Sequence, residues 1–154
     1  MVKDRPNRIM AVASAGGHWI QLARLSEAFA GSDTLYVTTA AGQVAPSGNR
    51  PVALVVDASR NEPWRIAWAA VQLAILMLRF RPHAVITTGA APGYLALRLA
   101  KLLGARTVWL DSIANADELS MSGRLAKPYA DLWLTQWEDV TRAHPRLRFL
   151  GQVL

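Results

Sequence analysis

Short, largely apolar runs recur along this chain, each set off from the next by a helical stretch or a turn-rich loop. Ile9–Ala13, Thr34–Thr38, Val52–Val56, Ala84–Thr87, Thr107–Leu110, Leu132–Thr135 and Arg148–Leu150 read as strands. Strands without polar alternation are buried on both faces, and strands that alternate with helices form a parallel sheet. Helices are expected at Gly17–Ala30, with Ile20, Leu22, Ala23, Leu25 and Phe29 inward, at about Glu62–Phe80, and at Pro92–Leu103. Shorter ones are expected at Ser122–Tyr129 and Val140–Ala143. Gly31 closes the first helix, Pro82 stops the long one, and Pro92 sits in a first turn. The expected architecture is a Rossmann-like α/β fold: a parallel sheet with helices on both faces, in a single domain over residues 1–154. Residues 40–51 have loop composition and are expected to be the most mobile segment.

In such sheets ligands bind beyond the carboxyl ends of the strands. Ser14-Ala15-Gly16-Gly17-His18 follows the first strand there. Adjacent glycines allow a sharp bend and a close ligand approach, and the next helix aims its free N–H groups at an anion. His18 adds a group that moves protons near neutral pH. Thr87-Thr88-Gly89-Ala90-Ala91-Pro92-Gly93 repeats the arrangement, so Thr88 and Gly89 face the same crevice. Two such loops suit a diphosphate better than one phosphate. Asp111 and Ser112 end another strand. A carboxylate there accepts a sugar hydroxyl, acts as a base, or caps the following turn. Glu138 holds the equivalent place after its own strand. His83 and His144 adjoin prolines in loops and read as surface residues.

A net charge of +6 favours anionic partners: phosphorylated ligands, anionic membrane surfaces or nucleic acid. Zinc-finger spacing, an RNP-like aromatic strand and dense Lys/Arg runs are missing, so no nucleic-acid partner is expected. The chain has no cysteine and three scattered histidines, so no disulfide, metal site or cofactor is expected. Dinucleotide binding is disfavoured, because the first loop is not GxGxxG and the second strand ends in Thr38-Thr39 rather than an acidic residue. The apolar run after residue 8 stops at a glycine turn, which is no signal peptide, so the chain is expected in the cytoplasm.

Ile66–Leu78 holds only one polar residue, Gln72. Such a helix covers roughly 20 Å, short of the roughly 30 Å hydrocarbon core. It is either buried on the sheet or partly exposed. Its all-round apolarity exceeds what one sheet face needs. Trp64, Trp68, Arg79 and Arg81 are therefore expected to rest on an anionic bilayer surface or on a partner protein.

The ordered set Ser14–His18, Ile86–Gly89, Asp111-Ser112, Leu119–Leu125, Ala130-Asp131, Gln136-Trp137 and Leu150-Gly151 resembles the acceptor-side subunits of split GT-B glycosyltransferases. These include PssD-type bacterial exopolysaccharide proteins and the membrane-anchoring subunit of the eukaryotic dolichol-diphosphate N-acetylglucosamine transferase. A more distant likeness is to the N-terminal half of the peptidoglycan transferase that makes lipid II. The resemblance covers nearly the whole chain. It implies inverting transfer from a UDP-sugar to a polyprenyl-diphosphate-linked acceptor, at a cleft shared with a donor-binding partner subunit. It also implies activity only in the assembled pair, and a peripheral place on the inner face of the cell membrane. Under that reading Ser14, Gly16, Gly17, Thr88, Gly89, Ser112 and Glu138 contact acceptor or phosphate, and His18 is the base, with Asp111 as second choice. The eukaryotic subunits carry an N-terminal membrane helix with no counterpart here, so membrane contact is expected to fall to the 64–81 segment. The family often has Glu-Ser where this chain has Asp111-Ser112, which shortens the carboxylate's reach. A non-catalytic scaffold that tethers a catalytic partner is the alternative. A small nucleotide-dependent oxidoreductase or methyltransferase is a third reading.

Overall fold

The computed structural model describes residues 6–153. Its strands are β1 (Arg8–Val12), β2 (Asp33–Thr38), β3 (Val52–Leu54), β4 (Ala84–Thr87), β5 (Arg106–Leu110), β6 (Leu132–Thr135) and β7 (Arg148–Phe149). Its helices are α1 (Gly17–Arg24), α2 (Pro63–Phe80), α3 (Ala90–Leu102), α4 (Met121–Ala126) and α5 (Glu138–Thr141). All seven strands pair in parallel, in the order β3-β2-β1-β4-β5-β6-β7. The chain builds outward from β1 to β3, then returns to the other side of β1 with β4. The order therefore reverses between β1 and β4, where this fold opens a crevice.

One sheet face carries Ala11, Ala13 and Tyr36, packed under Trp19, Leu22 and Phe29 of the α1 side. The opposite face, with Met10, Val12, Val37 and Val85, packs on Leu73 and Met77 of α2 and Ala96, Leu97 and Ala100 of α3. Gly93 sets how closely α3 sits on β4. A Cβ there would stand 2.0 Å from Thr87 Oγ1, so only glycine lets the start of α3 reach the crevice.

Several expected boundaries move. The first helix ends at Arg24, and Ser26–Phe29 continues as a 3-10 turn closed by the Leu25 N–H to Leu22 and Ala28 N–H to Leu25 bonds. The tightening carries Phe29 onto Tyr36, 6.4 Å between ring centres, while Ile20 points out to solvent. The third strand stops at Leu54 because the Val56 N–H leaves the sheet for Gln72 Oε1, 2.8 Å away. Helix α3 starts two residues before Pro92, and α5 starts at Glu138 rather than Val140. His83 is exposed as expected, but His144 is half-buried, edge-on to Trp133 at 5.5 Å.

Helix α2 buries only Ala69, Leu73 and Met77, one residue per turn. Trp64, Trp68, Val71, Ile75 and Leu78 form an exposed apolar stripe down its outer side, with Trp64 68% exposed. The exposed reading of this helix is the one observed. No helix among the described residues is long and apolar enough to cross a membrane.

Asp131, just before β6, accepts from the Thr107 N–H at 3.0 Å, from Thr107 Oγ1 at 3.1 Å and from Lys101 Nζ. The Lys101 contact, with these hydrogen bonds, holds its pKa below the ordinary 3.8. A carboxylate depressed in the folded state adds stability above its unfolded pKa, and that stability is lost as pH falls through the folded value. Asp131→Asn is therefore expected to lower the melting temperature at pH 7, with the gap to wild type closing below about pH 3.8 in melts run across the acid range.

Candidate functional site

Two loops meet at the switch point. Ser14–Gly17 leaves β1 as a solvent-facing turn, and Gly16, at φ +70°, is the N-cap of α1. Gly89, at φ +131°, is the N-cap of α3, and Ala90 follows at φ +65°. A left-handed backbone at a non-glycine residue costs of order 1–3 kcal/mol and concentrates at functional sites. Neither helix start has a side-chain cap or an acidic residue in its first turn. Their leading N–H groups and positive dipole ends thus stay available to an anion.

His18 ties the loops together. Its Nδ1 lies 2.9 Å from the Thr88 carbonyl oxygen, and Thr88 Oγ1 donates back to the His18 carbonyl at 2.6 Å. A carbonyl oxygen only accepts, so Nδ1 carries the hydrogen and Nε2 of the neutral ring keeps its lone pair. Gly89 makes room for this ring: a Cβ at that position would stand 2.8 Å from His18 Cε1 and Nδ1. Thr88 is buried and His18 half-buried, and no hydrogen bond to Nε2 is made among the described residues.

Asp111 and Ser112 sit in the floor. Asp111 is 1% exposed. Its Oδ1 accepts from Trp109 Nε1 at 3.1 Å and Ser120 Oγ at 2.5 Å, and its Oδ2 from Asn115 Nδ2 at 3.1 Å and the Ser120 N–H at 2.8 Å. A carboxylate has about four lone-pair sites, and here four donors fill them. With these four bonds made, Asp111 has no lone pair left over for a substrate hydroxyl, which favours an anchoring role over the second-choice base expected from the sequence. Ser120 Oγ in turn caps α4 by accepting from the Gly123 N–H at 2.8 Å, so Asp111 anchors the 111–123 segment.

Gln21 and Gln136 extend that floor. Gln21 Nε2 donates to Ser112 Oγ at 3.2 Å, and its Oε1 accepts from the Ile113 N–H at 3.1 Å and Gln136 Nε2 at 2.6 Å. Gln136 Nε2 also donates to the Asp111 carbonyl at 3.0 Å. Gln21 was not among the expected site residues. Its signal is position: one turn after Gly17 on the same helix, where residues four apart share a face. Glu138 opens α5, exposed, and no side-chain hydrogen bond joins it to this cluster among the described residues.

Beside the first turn of α3 lies a groove of about 210 Å³ between α2, α3 and α4. Ile66, Tyr94, Leu95 and Leu125 make it apolar, and Arg60 and Arg98 border it. Arg98 lies over Tyr94 and Tyr129, and Arg60 donates to Met121 Sδ; neither arginine has an ion-pair partner among the described residues. Trp64, Trp68 and Arg79 lie outside the crevice along the exposed side of α2, and Arg81 caps its far end. Among the described residues no group of three or more His, Asp or Glu side chains has metal-binding geometry.

The fold is a Rossmann-like parallel α/β sheet that matches one half of GT-B proteins. It superposes on Acinetobacter baumannii MurG with a TM-score of 0.72, covering 88% of this chain and 43% of that one at 15% identity. Against UDP-GlcNAc 2-epimerase from Neisseria meningitidis the TM-score is 0.70, covering 95% and 47% at 11% identity.

The chain belongs to the family described as "Oligosaccharide biosynthesis protein Alg14 like", which matches residues 53–153. It is 35% identical over 94 residues to the "UDP-N-acetylglucosamine transferase subunit ALG14" of Eremothecium gossypii, covering 57% of this chain and 42% of that protein. The Mus musculus protein of the same name is 27% identical over 85 residues, covering 51% and 39%. These matches span less than half the length of either relative.

Proposed function

We propose that this chain is the acceptor-binding, membrane-contacting subunit of a two-chain inverting glycosyltransferase. The donor is a UDP-sugar held by a partner subunit, and the acceptor is a sugar linked to a polyprenyl diphosphate, in polysaccharide or oligosaccharide synthesis. The observation that carries the reading is His18, locked by the Thr88 carbonyl with Nε2 free, between two uncapped helix starts at the switch point. The family and the subunit names of the relatives support it.

His18 Nε2 takes the proton of the acceptor hydroxyl. The resulting oxygen attacks the anomeric carbon on the face opposite the UDP, the new glycosidic C–O bond forms, and the bond to the UDP oxygen breaks. That displacement inverts the carbon, UDP leaves with the electron pair, and His18 returns its proton to solvent. The N–H groups at Gly17 and Ala90 hold the acceptor diphosphate. The groove between Leu95 and Leu125 receives the first isoprene units, with Arg60 and Arg98 beside the phosphates. The apolar stripe of α2 rests in the bilayer from which that lipid comes.

A polyprenyl-diphosphate N-acetylglucosamine analogue with a photoreactive first isoprene unit tests this placement in the assembled pair. Labelling is expected on α3 and α4, and Leu95→Asp is expected to reduce it about tenfold. Labelling confined to other surfaces contradicts the placement.

A further inference from the structure

At the opposite end of the sheet from the crevice, the C-terminal ends of α2 and α3 enclose a cavity of about 670 Å³. Arg8, Arg81, Arg106 and His83 supply its polar wall, and Met77 and Leu103 its apolar one. None of these arginines has an ion-pair partner among the described residues. The two helix ends that point here carry about half a negative charge each, so they offset roughly one of three positive charges and leave about two. Arg8 is held in place: its Nε donates to the Arg81 carbonyl at 2.8 Å, and its N–H donates to His83 Nδ1 at 3.0 Å. Because Nδ1 accepts, the neutral His83 ring carries its hydrogen on Nε2, a further donor.

The cavity continues the outer side of α2. Leu78 both ends the exposed apolar stripe and lines this cavity, and Leu103 at its rim is exposed, as is neighbouring Leu102. An occupant must therefore be anionic beside Arg8, Arg81 and Arg106 and apolar where it meets Leu78 and Leu103. We infer that this cavity is a headgroup site for an anionic phospholipid, whose phosphate is bound by Arg81, Arg106 and His83 while its acyl chains lie along α2. The site is separate from the acceptor crevice. It rests on the membrane-contacting reading of α2 and adds to it a lipid selectivity that an apolar stripe alone lacks.

The test is flotation of the full chain, in complex with its partner, on vesicles of phosphatidylcholine alone or with one quarter phosphatidylglycerol. Arg81→Gln/Arg106→Gln is expected to weaken binding to the anionic vesicles about thirtyfold, since each basic residue near such a surface contributes about fivefold. Binding to phosphatidylcholine alone should stay unchanged, and Arg81→Lys/Arg106→Lys should restore most of the loss. The equal-charge control Arg146→Gln/Arg148→Gln, on the far edge of the sheet, should lose much less. An equal loss in the control reduces the effect to net charge and overturns the site. Saturable binding of inorganic phosphate that Arg81→Gln/Arg106→Gln abolishes, without any change on vesicles, assigns the cavity to a soluble anion and also overturns it. Trp64→Ser/Trp68→Ser probes the underlying reading separately, because it should weaken binding to both vesicle types. If that variant binds normally while the arginine pair fails, the stripe is dispensable and the headgroup site stands.

Discussion

Under the proposed function, replacing His18 with alanine in the two-chain assembly is expected to lower kcat by about 10²–10⁴, the usual worth of a positioned general base. The geometry makes the expectation specific. The Thr88 carbonyl fixes the hydrogen on Nδ1 and leaves the lone pair on Nε2, which has no hydrogen-bond partner among the described residues. A histidine that only touched phosphate would behave differently, since its loss would raise KM for the acceptor and leave kcat nearly intact. Gly89→Ala should act in the same direction with His18 present, because the added Cβ would push the ring from its place. Near-normal kcat in His18→Ala, with the fold intact, contradicts the role.

Asp111→Ala is expected to be the most destabilising change in the site. It strips the acceptor from four donors at once, those of Trp109, Asn115 and Ser120 (two). Each buried donor left without a partner costs about 1–3 kcal/mol, so a loss of about 3 kcal/mol or more is expected in denaturant melts. The segment from 111 to 123 should loosen with it, since Ser120 caps α4 through the same network. Asp111→Asn distinguishes anchor from base. As an anchor it loses stability through its mispaired amide group, and keeps measurable turnover below its melting point. As a base it would keep its fold and lose turnover. A stable, inactive Asp111→Asn protein would return this residue to the chemistry.

The fold was legible because its signals are local. Apolar runs at Ala84–Thr87 and Leu132–Thr135 match β4 and β6 residue for residue, Pro82 follows the end of α2, and Pro92 lies in the first turn of α3. The glycine loops were legible as well, since two positive-φ glycines after strands leave a pattern in the chain. What escaped is whatever depends on distant residues. The shortening of α1 follows from where Tyr36 must receive Phe29, and β3 ends early because Gln72, sixteen residues away, captures a backbone donor. Asp111 and Glu138 looked alike, each just beyond the end of a strand. Burial and four donors make one an anchor, while the other faces solvent. Gln21 was hidden for the same reason: a lone polar residue in a helix gains meaning only when Ser112 and Gln136 close around it.

The central claim is that this chain supplies the acceptor half of a shared active site. Its most direct test is transfer from UDP-N-acetylglucosamine to a polyprenyl-diphosphate-linked acceptor, measured with the donor-binding partner alone, this chain alone, and the two together. The account predicts transfer only by the pair, and its loss when the chain in the pair carries His18→Ala. Full transfer by the partner alone to a detergent-solubilised acceptor would contradict it and leave this chain as a tether.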